Sequence, residues 1–240
     1  MNIALVGYGK MGKIIDTLAI ERGHQIVLRI SRKNLDDFTI ENLRQKKVDV
    51  AIEFTNPDAA FDNIITCFEA GIKVVSGSTG WLEKWDVALN AMKKNNGSFL
   101  YASNFSVGVN IFFALNQYLA KLMNPQTAYD AEMTEIHHTA KVDAPSGTAA
   151  TLAMQIIEHL DRKNEWVQEK EPESNELLIT SVRQDPAPGT HEICYSSDID
   201  NIEIKHTAKS RKGFALGAIL AAEYLLDKQG LHTMQDVLKM

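Results

Sequence analysis

The N-terminus constrains the fold most. An apolar run, Ile3-Ala4-Leu5-Val6, leads directly into Gly7-Tyr8-Gly9-Lys10-Met11-Gly12. Lys13 to Arg22 then carries Ile14, Ile15, Leu18 and Ala19 at helical spacing, Gly23 stops the pattern, and Gln25 to Ile30 reads as a second strand. Strand, glycine loop, helix and strand in immediate succession make a βαβ unit with parallel strands. In that setting G-x-G-x-x-G is a dinucleotide fingerprint: the first glycine makes the turn, the second admits a pyrophosphate to the backbone, and the third lets helix and strand pack closely. Without that context the same glycines would be only a tight strand-to-helix turn.

The pattern continues. Val48 to Phe54 reads as a third strand, and Thr55-Asn56-Pro57-Asp58 opens a helix carrying Ala60, Phe61, Ile64, Ile65 and Phe68 as far as Gly71. Ile72 to Val75 is a fourth strand, ended by Gly77-Ser78-Thr79-Gly80; a helix over Glu83 to Asn95 and a fifth strand over Ser98 to Ala102 follow. Ser103-Asn104-Phe105-Ser106 then precedes a long apolar helix over Val107 to Met123. Ligands of an open α/β sheet sit outside the carboxyl ends of its strands, where these glycine-bearing and polar loops fall. The end of the second strand should meet the adenosine ribose. It reads Arg29-Ile30-Ser31-Arg32-Lys33, with no acid before Asp36. An acid there favours NAD, whereas Ser31 with the charges of Arg32 and Lys33 favours the 2′-phosphate of NADP, or tolerance of both.

The second part alternates differently. A strand from about Ala128 or Tyr129 ends in His137-His138, a loop carries Lys141, and Ser146-Gly147-Thr148 opens a helix bearing Ala149, Leu152, Ala153, Ile156, Ile157 and Leu160. Unpaired N–H groups of a first helical turn, with the helix dipole, favour an anion such as a carboxylate. Two imidazoles and an ammonium beside such a site suit an acidic substrate that is protonated during reaction. Lys163 to Asn175 is polar and reads as an exposed excursion. Leu177 to Arg183, Thr190 to Ser196 and Asn201 to Lys209 read as strands of a mostly antiparallel sheet, with a turn at Asp185-Pro186-Ala187-Pro188-Gly189. The helical pattern from Gly213 to Asp227 is expected to return to the first domain. A short sheet with one uncovered face points to oligomerisation through the second domain.

The fold class expected is therefore α/β: a Rossmann-type dinucleotide-binding domain over residues 1–105 with 213–240, and an α+β substrate-binding and oligomerisation domain with a mixed, mostly antiparallel sheet over 106–212. A net charge of −6 over 240 residues argues against a nucleic-acid partner. Cys67 and Cys194 are too few and too far apart for a disulfide scaffold or a metal site, so a cytoplasmic setting and no metal are expected. No signal segment and no membrane-spanning run is read.

The stretch Glu135-Ile-His-His-Thr-Ala-Lys-Val-Asp-Ala-Pro-Ser-Gly-Thr148 matches the pattern E-x-H-H-x-x-K-x-D-x-P-S-G-T, and the chain resembles the 4-hydroxy-tetrahydrodipicolinate (dihydrodipicolinate) reductase family over essentially its whole length. Gly7 to Gly12 is similar to that family's nucleotide loop, Gly77 to Gly80 to its G-T-T-G loop, Asn104 to Asn110 to its N-F-S-x-G-x-N segment, and Glu53 to Pro57 to its D-F-T-x-P element. The resemblance implies NADPH or NADH as cofactor, with NADPH favoured here because Ser31 stands where an acid is common. It implies that His137 is the general acid/base and Lys141 a second proton donor. His138, Gly147 and Thr148, with Ser146, would hold the carboxylates of a small dicarboxylate substrate. Gly7, Tyr8, Gly9, Lys10, Met11 and Gly12, then Ser31 and Arg32, would bind the dinucleotide, and Gly77, Ser78, Thr79, Ala102, Ser103, Asn104 and Phe105 would cradle its nicotinamide half. It further implies a homotetramer, and Glu53, longer than the usual Asp, alters a local contact. A related reductase acting on a semialdehyde or amino acid, or a nucleotide sensor without turnover, would share the glycine loop but has no use for the His-His-Lys array.

Overall fold

The computed structural model describes residues 1–240, and the chain divides into two compact units, 1–107 with 212–240 and 108–211. The first unit contains β1 (Asn2–Val6), α1 (Lys10–Glu21), β2 (Gln25–Ile30), α2 (Ile40–Gln45), β3 (Val50–Glu53), α3 (Pro57–Ala70), β4 (Lys73–Ser76), α4 (Trp85–Lys94) and β5 (Ser98–Tyr101). The helix α5 (Val107–Met123) leads into the second unit, which holds β6 (Asp130–His137), α6 (Gly147–His159), β7 (Glu165–Val167), β8 (Glu176–Arg183), β9 (Thr190–Ser196) and β10 (Asn201–Thr207). The chain then completes the first unit with α7 (Lys212–Leu225), β11 (Gly230–His232) and α8 (Met234–Leu238).

The first sheet has six strands, all parallel, in the order β11-β5-β4-β3-β1-β2. Both faces are covered, which is why its strands are apolar throughout rather than alternating. Ala4, Val6, Ala51, Val74 and Phe99 pack with Leu43 of α2, Ile64 and Phe68 of α3 and Met92 of α4. On the other face Ile3, Leu5, Val50, Ile52, Val75 and Leu100 meet Ile15 and Ala19 of α1, Ala215, Ala218, Ile219 and Ala222 of α7, and Met234.

The second sheet has five strands in the order β10-β9-β6-β8-β7. β6 and β10 run antiparallel to β9, whereas β8 runs parallel to both β6 and β7. The sheet is thus mixed, as expected, with two antiparallel and two parallel pairings. The cause is α6, which carries the chain back after β6 so that the following strands start from the same end. Alternation along the strands turns Ala131, Met133, Leu177, Ile179, Ile193 and Tyr195 onto Leu152, Ala153 and Ile156 of α6 and Phe112 of α5.

The expected exposed excursion over 163–175 is corrected only at its start, since Glu169 to Ser174 are exposed. Glu165–Val167 forms the edge strand β7, and Lys163 is buried. Its ammonium donates to the carbonyls of Ser174 (3.1 Å) and Glu176 (2.7 Å) and pairs with Asp130 at 2.6 Å. All three ammonium donors are thereby used, which is the condition for burying a lysine.

Candidate active site

The glycine loop is built as an anion cradle. Gly7 has φ +100°, and a Cβ there would sit 2.1 Å from the Phe54 carbonyl oxygen; a Cβ on Gly12 would sit 2.5 Å from the Gly7 oxygen. A Cβ on Gly9 would meet nothing within 4 Å, so the loop opens there. No side chain caps α1 and no acid lies in its first turn. Its leading N–H groups are therefore offered to an outside anion, as a pyrophosphate site requires. Tyr8 donates to Asp16 (2.6 Å), and Asp16 also takes Arg29 through Nε (2.6 Å) and a terminal nitrogen (2.8 Å). The Arg29 bonds, more than burial, decide the Asp16 carboxyl and hold it below the usual range. Arg29 is thus committed to the loop's underside. At the end of β2 the Ser31 hydroxyl and amide both donate to Asn34 Oδ1 at 2.9 Å. Arg32 and Lys33 are exposed beside it.

The loops after β3, β4 and β5 lie against one another. A Cβ on Gly77 would overlap the Phe54 ring at 2.3 Å, the Phe54 and Phe105 rings are 5.6 Å apart, and a Cβ on Gly217 would strike the Phe105 carbonyl at 1.7 Å. Ser78 is buried against Glu53, whereas Thr79 and Ser103 are exposed and Ala102 and Asn104 are half-buried. Phe105 is a core residue, so only its backbone is left for a ligand.

In the second unit the strand β6 delivers Glu135 and His137 to one face, and both are buried. Glu135 Oε1 accepts the Ser146 amide (3.2 Å), the Ser181 hydroxyl (2.8 Å) and the Arg183 guanidinium (3.0 Å). Its Oε2 lies 2.9 Å from His137 Nδ1, off the line of a hydrogen bond, and neither atom has another partner. Gly189 passes so close that a Cβ there would stand 3.0 Å from His137 Nε2. The His137 and His191 rings meet edge-on at 5.3 Å. Ser146 caps α6 by accepting the Ala149 amide at 3.1 Å, and its hydroxyl also bonds His191 Nε2 at 3.1 Å. Gly147 is exposed, with nothing within 4 Å of a Cβ position, so the helix start is approachable. Lys141 is engaged by both oxygens of Asp143 at 2.7 Å, and its amide bonds the His138 carbonyl. Peptide bonds Ala144–Pro145 and Asp185–Pro186 are cis.

The electrostatics follow from this packing. Burial works to raise the Glu135 carboxyl, but the bonds from Ser146, Ser181 and Arg183 outweigh it and hold it below the ordinary range. Burial pushes His137 down despite the neighbouring Glu135 charge, with Lys141 and Arg183 adding to the shift. Burial brings His191 down to about 4. The cluster thus holds one carboxylate and neutral imidazoles close to fixed cations. Glu135, His137 and His191 also offer ligand atoms within 4.8 Å of one another, but the guanidinium of Arg183 already sits on that carboxylate.

Reading the sequence for motifs passes over Arg183, Ser181 and His191, and gives Glu135 no role of its own. A signal was present. Each continues the inward alternation of its strand beyond the apolar positions, as Ala131, Met133, Glu135 and His137 do on β6. A polar residue at the next core-facing position of a strand is the mark of a built site.

A glycine-loop parallel sheet, with a buried acid–imidazole array in a second unit, fits the class of nicotinamide-dinucleotide-dependent oxidoreductases. Residues 1–105 match the N-terminal model of dihydrodipicolinate reductase and residues 108–238 its C-terminal model. The 4-hydroxy-tetrahydrodipicolinate reductase of Christiangramia forsetii is 51% identical over 238 residues, spanning 99% of this chain and 98% of that protein. The enzyme of the same name from Thermosipho africanus is 34% identical over 243 residues, covering 100% and 98%. A dipicolinate-bound dihydrodipicolinate reductase from a Paenisporosarcina species shares the fold at TM-score 0.79, with 23% identity and 98% of each chain covered. The chain belongs to the dihydrodipicolinate reductase family.

Proposed function

We propose that the chain reduces 4-hydroxy-tetrahydrodipicolinate to tetrahydrodipicolinate with loss of water, in the diaminopimelate route to lysine, and that it uses NADPH in preference to NADH. The observation that carries the reading is the Glu135 carboxylate, which touches the start of α6 and the His137 ring at once. The reduced nicotinamide supplies a hydride to ring carbon C4. The rest falls to the chain. Gly7 to Gly12 bind the pyrophosphate, Ser31 and Arg32 meet the adenosine ribose, and the loops at Gly77–Thr79 and Ala102–Phe105 hold the nicotinamide half. The helix start at Ser146, Gly147 and Thr148, with His138, takes a substrate carboxylate. That carboxylate competes with Asp143 for the Lys141 ammonium, leaving Lys141 as a second cation and proton donor. His137 gives a proton to a ring atom beside C4, and Glu135 fixes the ring and stabilises the imidazolium when it forms.

Burial favours neutral His137 in the free protein, and the imidazolium that this role needs forms once substrate is bound. Two incoming carboxylates oppose the field of Lys141 and Arg183 and favour protonation. The dicarboxylate carried by the Paenisporosarcina relative supports a substrate of that class. A cytoplasmic homotetramer, assembled through the outer face of the second sheet, completes the reading. Ile136 of β6 and Leu178 and Val182 of β8, which alternate with the inward residues of their strands, are only half-buried, a pattern that favours a covering partner. No helix is long and apolar enough to cross a membrane.

The test is loss of nicotinamide absorbance when the substrate is generated in place by the preceding synthase from pyruvate and aspartate semialdehyde, with NADPH and NADH run side by side. Synthase-dependent oxidation, faster per cofactor with NADPH, is the expected result. Dinucleotide binding without oxidation would leave a sensor instead.

A further inference from the structure

We propose that Glu53 is a positioning residue for the dinucleotide, a buried carboxylate that latches the loop after β3 to the loop after β4. The proposal rests on the reading of Gly77–Thr79 as part of the dinucleotide site. Glu53 ends β3 and is 1% exposed. Its Oε1 accepts the Thr55 amide (2.9 Å), the Thr55 hydroxyl and the Ser78 hydroxyl (2.8 Å), while Oε2 accepts the Ser76 hydroxyl at 2.6 Å. The Thr55 amide is shared with the Ser78 oxygen at 2.8 Å, and the Asn63 amide of α3 reaches the Thr55 hydroxyl at 3.3 Å. No Lys, Arg or His forms an ion pair with Glu53.

A buried carboxylate held by hydroxyls and an amide alone adds little to stability, because an apolar residue of similar size would avoid its desolvation. Its value lies in what it fixes. Ser76 and Ser78 flank Gly77, whose backbone lies directly on the Phe54 ring. Thr55 follows Phe54, whose carbonyl in turn defines the space open to Gly7. One side chain therefore sets the spacing of three loop segments at the carboxyl ends of β1, β3 and β4, where a dinucleotide crosses such a sheet. A binding site is only as well placed as the groups supporting it.

The length of the side chain is what matters in this arrangement. Aspartate would withdraw the carboxylate by about 1.5 Å, one carbon–carbon bond. Contacts at both Ser76 and Ser78 could then not be kept within hydrogen-bond reach. Glutamine keeps the reach, and the serine hydroxyls can rotate to accept from its amide.

The experiment is direct titration of NADPH and NADH by fluorescence into the full-length wild type, Glu53→Asp, Glu53→Gln and Ser78→Ala, with steady-state kinetics and melting temperatures for each. Glu53→Asp should raise the dinucleotide Kd and KM about tenfold, the usual weight of one or two lost hydrogen bonds. The KM for the dicarboxylate should move less, and kcat should fall less than the dinucleotide KM rises. Glu53→Gln should retain more affinity than Glu53→Asp, although it loses the charge. Ser78→Ala should lie in between. If Glu53→Asp or, should it not fold, Ser78→Ala binds dinucleotide as the wild type does while only its melting temperature falls, Glu53 is a structural residue and the proposal is overturned. A glutamine variant weaker than the aspartate one overturns it too, since charge and not reach would then be what counts. A wild type that binds neither dinucleotide would instead remove the cofactor reading, and this proposal with it.

Discussion

Glu135 Oε1 holds the amide of Ser146 at 3.2 Å, across eleven positions of sequence. The carboxylate beside the His137 ring is therefore also the group that seats the helix start. The His137 ring and the α6 start share one buried support, and a change at either end is felt at the other.

Glu135→Gln should lower kcat by about tenfold or more and raise the KM for the dicarboxylate, because the ring loses its charged neighbour and the Ser146 amide is left with a neutral, weaker acceptor. Removing the charge also leaves Arg183 without its buried partner, at a cost of about 1–3 kcal/mol in stability. Steady-state kinetics and urea unfolding of the variant would measure the two effects separately. A variant with wild-type kcat would show that His137 does not depend on Glu135.

His137→Ala should reduce kcat by about 10²–10⁴-fold, the usual weight of a general acid, while dinucleotide affinity stays unchanged. Titration of the variant with NADPH, beside single-turnover rates, separates the two. Equal loss in both would place His137 in folding rather than in proton transfer.

Stability should fall as pH drops from about 6.5 towards 4. His191 is neutral when folded down to a pKa of about 4, while in the unfolded chain it takes a proton near 6.5. In that window the unfolded state binds the extra proton and is favoured, by roughly 3 kcal/mol once pH reaches the folded value. His137 and His206, both also pushed down by burial, act with the same sign. Glu135 extends the loss further: its depressed carboxyl gives stability above the unfolded carboxylate value, and this disappears as pH falls through the folded one. Unfolding curves at intervals from pH 7.5 to 4 should show this slope, and His191→Gln should flatten it. A melting temperature level across that range would contradict the burial of these imidazoles.

Replacing Arg32 and Lys33 together by alanine should lower kcat/KM with NADPH about tenfold, the weight of a charge-assisted contact to a 2′-phosphate, and leave NADH within about twofold. Arg29→Ala should weaken both cofactors alike, because its partner Asp16 supports the glycine loop through Tyr8. Parallel kinetics with the two cofactors decides each case.

Much of this was legible in the residues. The βαβ start, the strand β2, the helix α5 and the strand β9 have strong periodicity and clear stops, and Gly7 and Gly12 stand where a Cβ would strike backbone. What escaped is short or depends on distant neighbours. α2 buries only Leu43, and β11 is three residues whose pairing with β5 is set by the fold. β7 sits inside a polar stretch because Lys163 finds its partners in Ser174, Glu176 and Asp130, none of which its neighbours in sequence announce. The same holds at the site. His137 and Lys141 stand out in a motif, whereas Arg183 and His191 come from other strands, and only sheet register brings them to Glu135.

The order of segments along the chain also governs how the protein is made. The face of the first sheet that carries Ile3, Leu5, Val50, Ile52 and Val75 is covered in large part by α7 and Met234. Those residues leave the ribosome only after the whole of 108–211. The second unit, being continuous, can close its core while the first still shows half of its sheet to water. A message cut short after β10 would therefore yield a finished second unit attached to a first unit with an open apolar face, and quality control would meet such fragments as targets for chaperones and proteases.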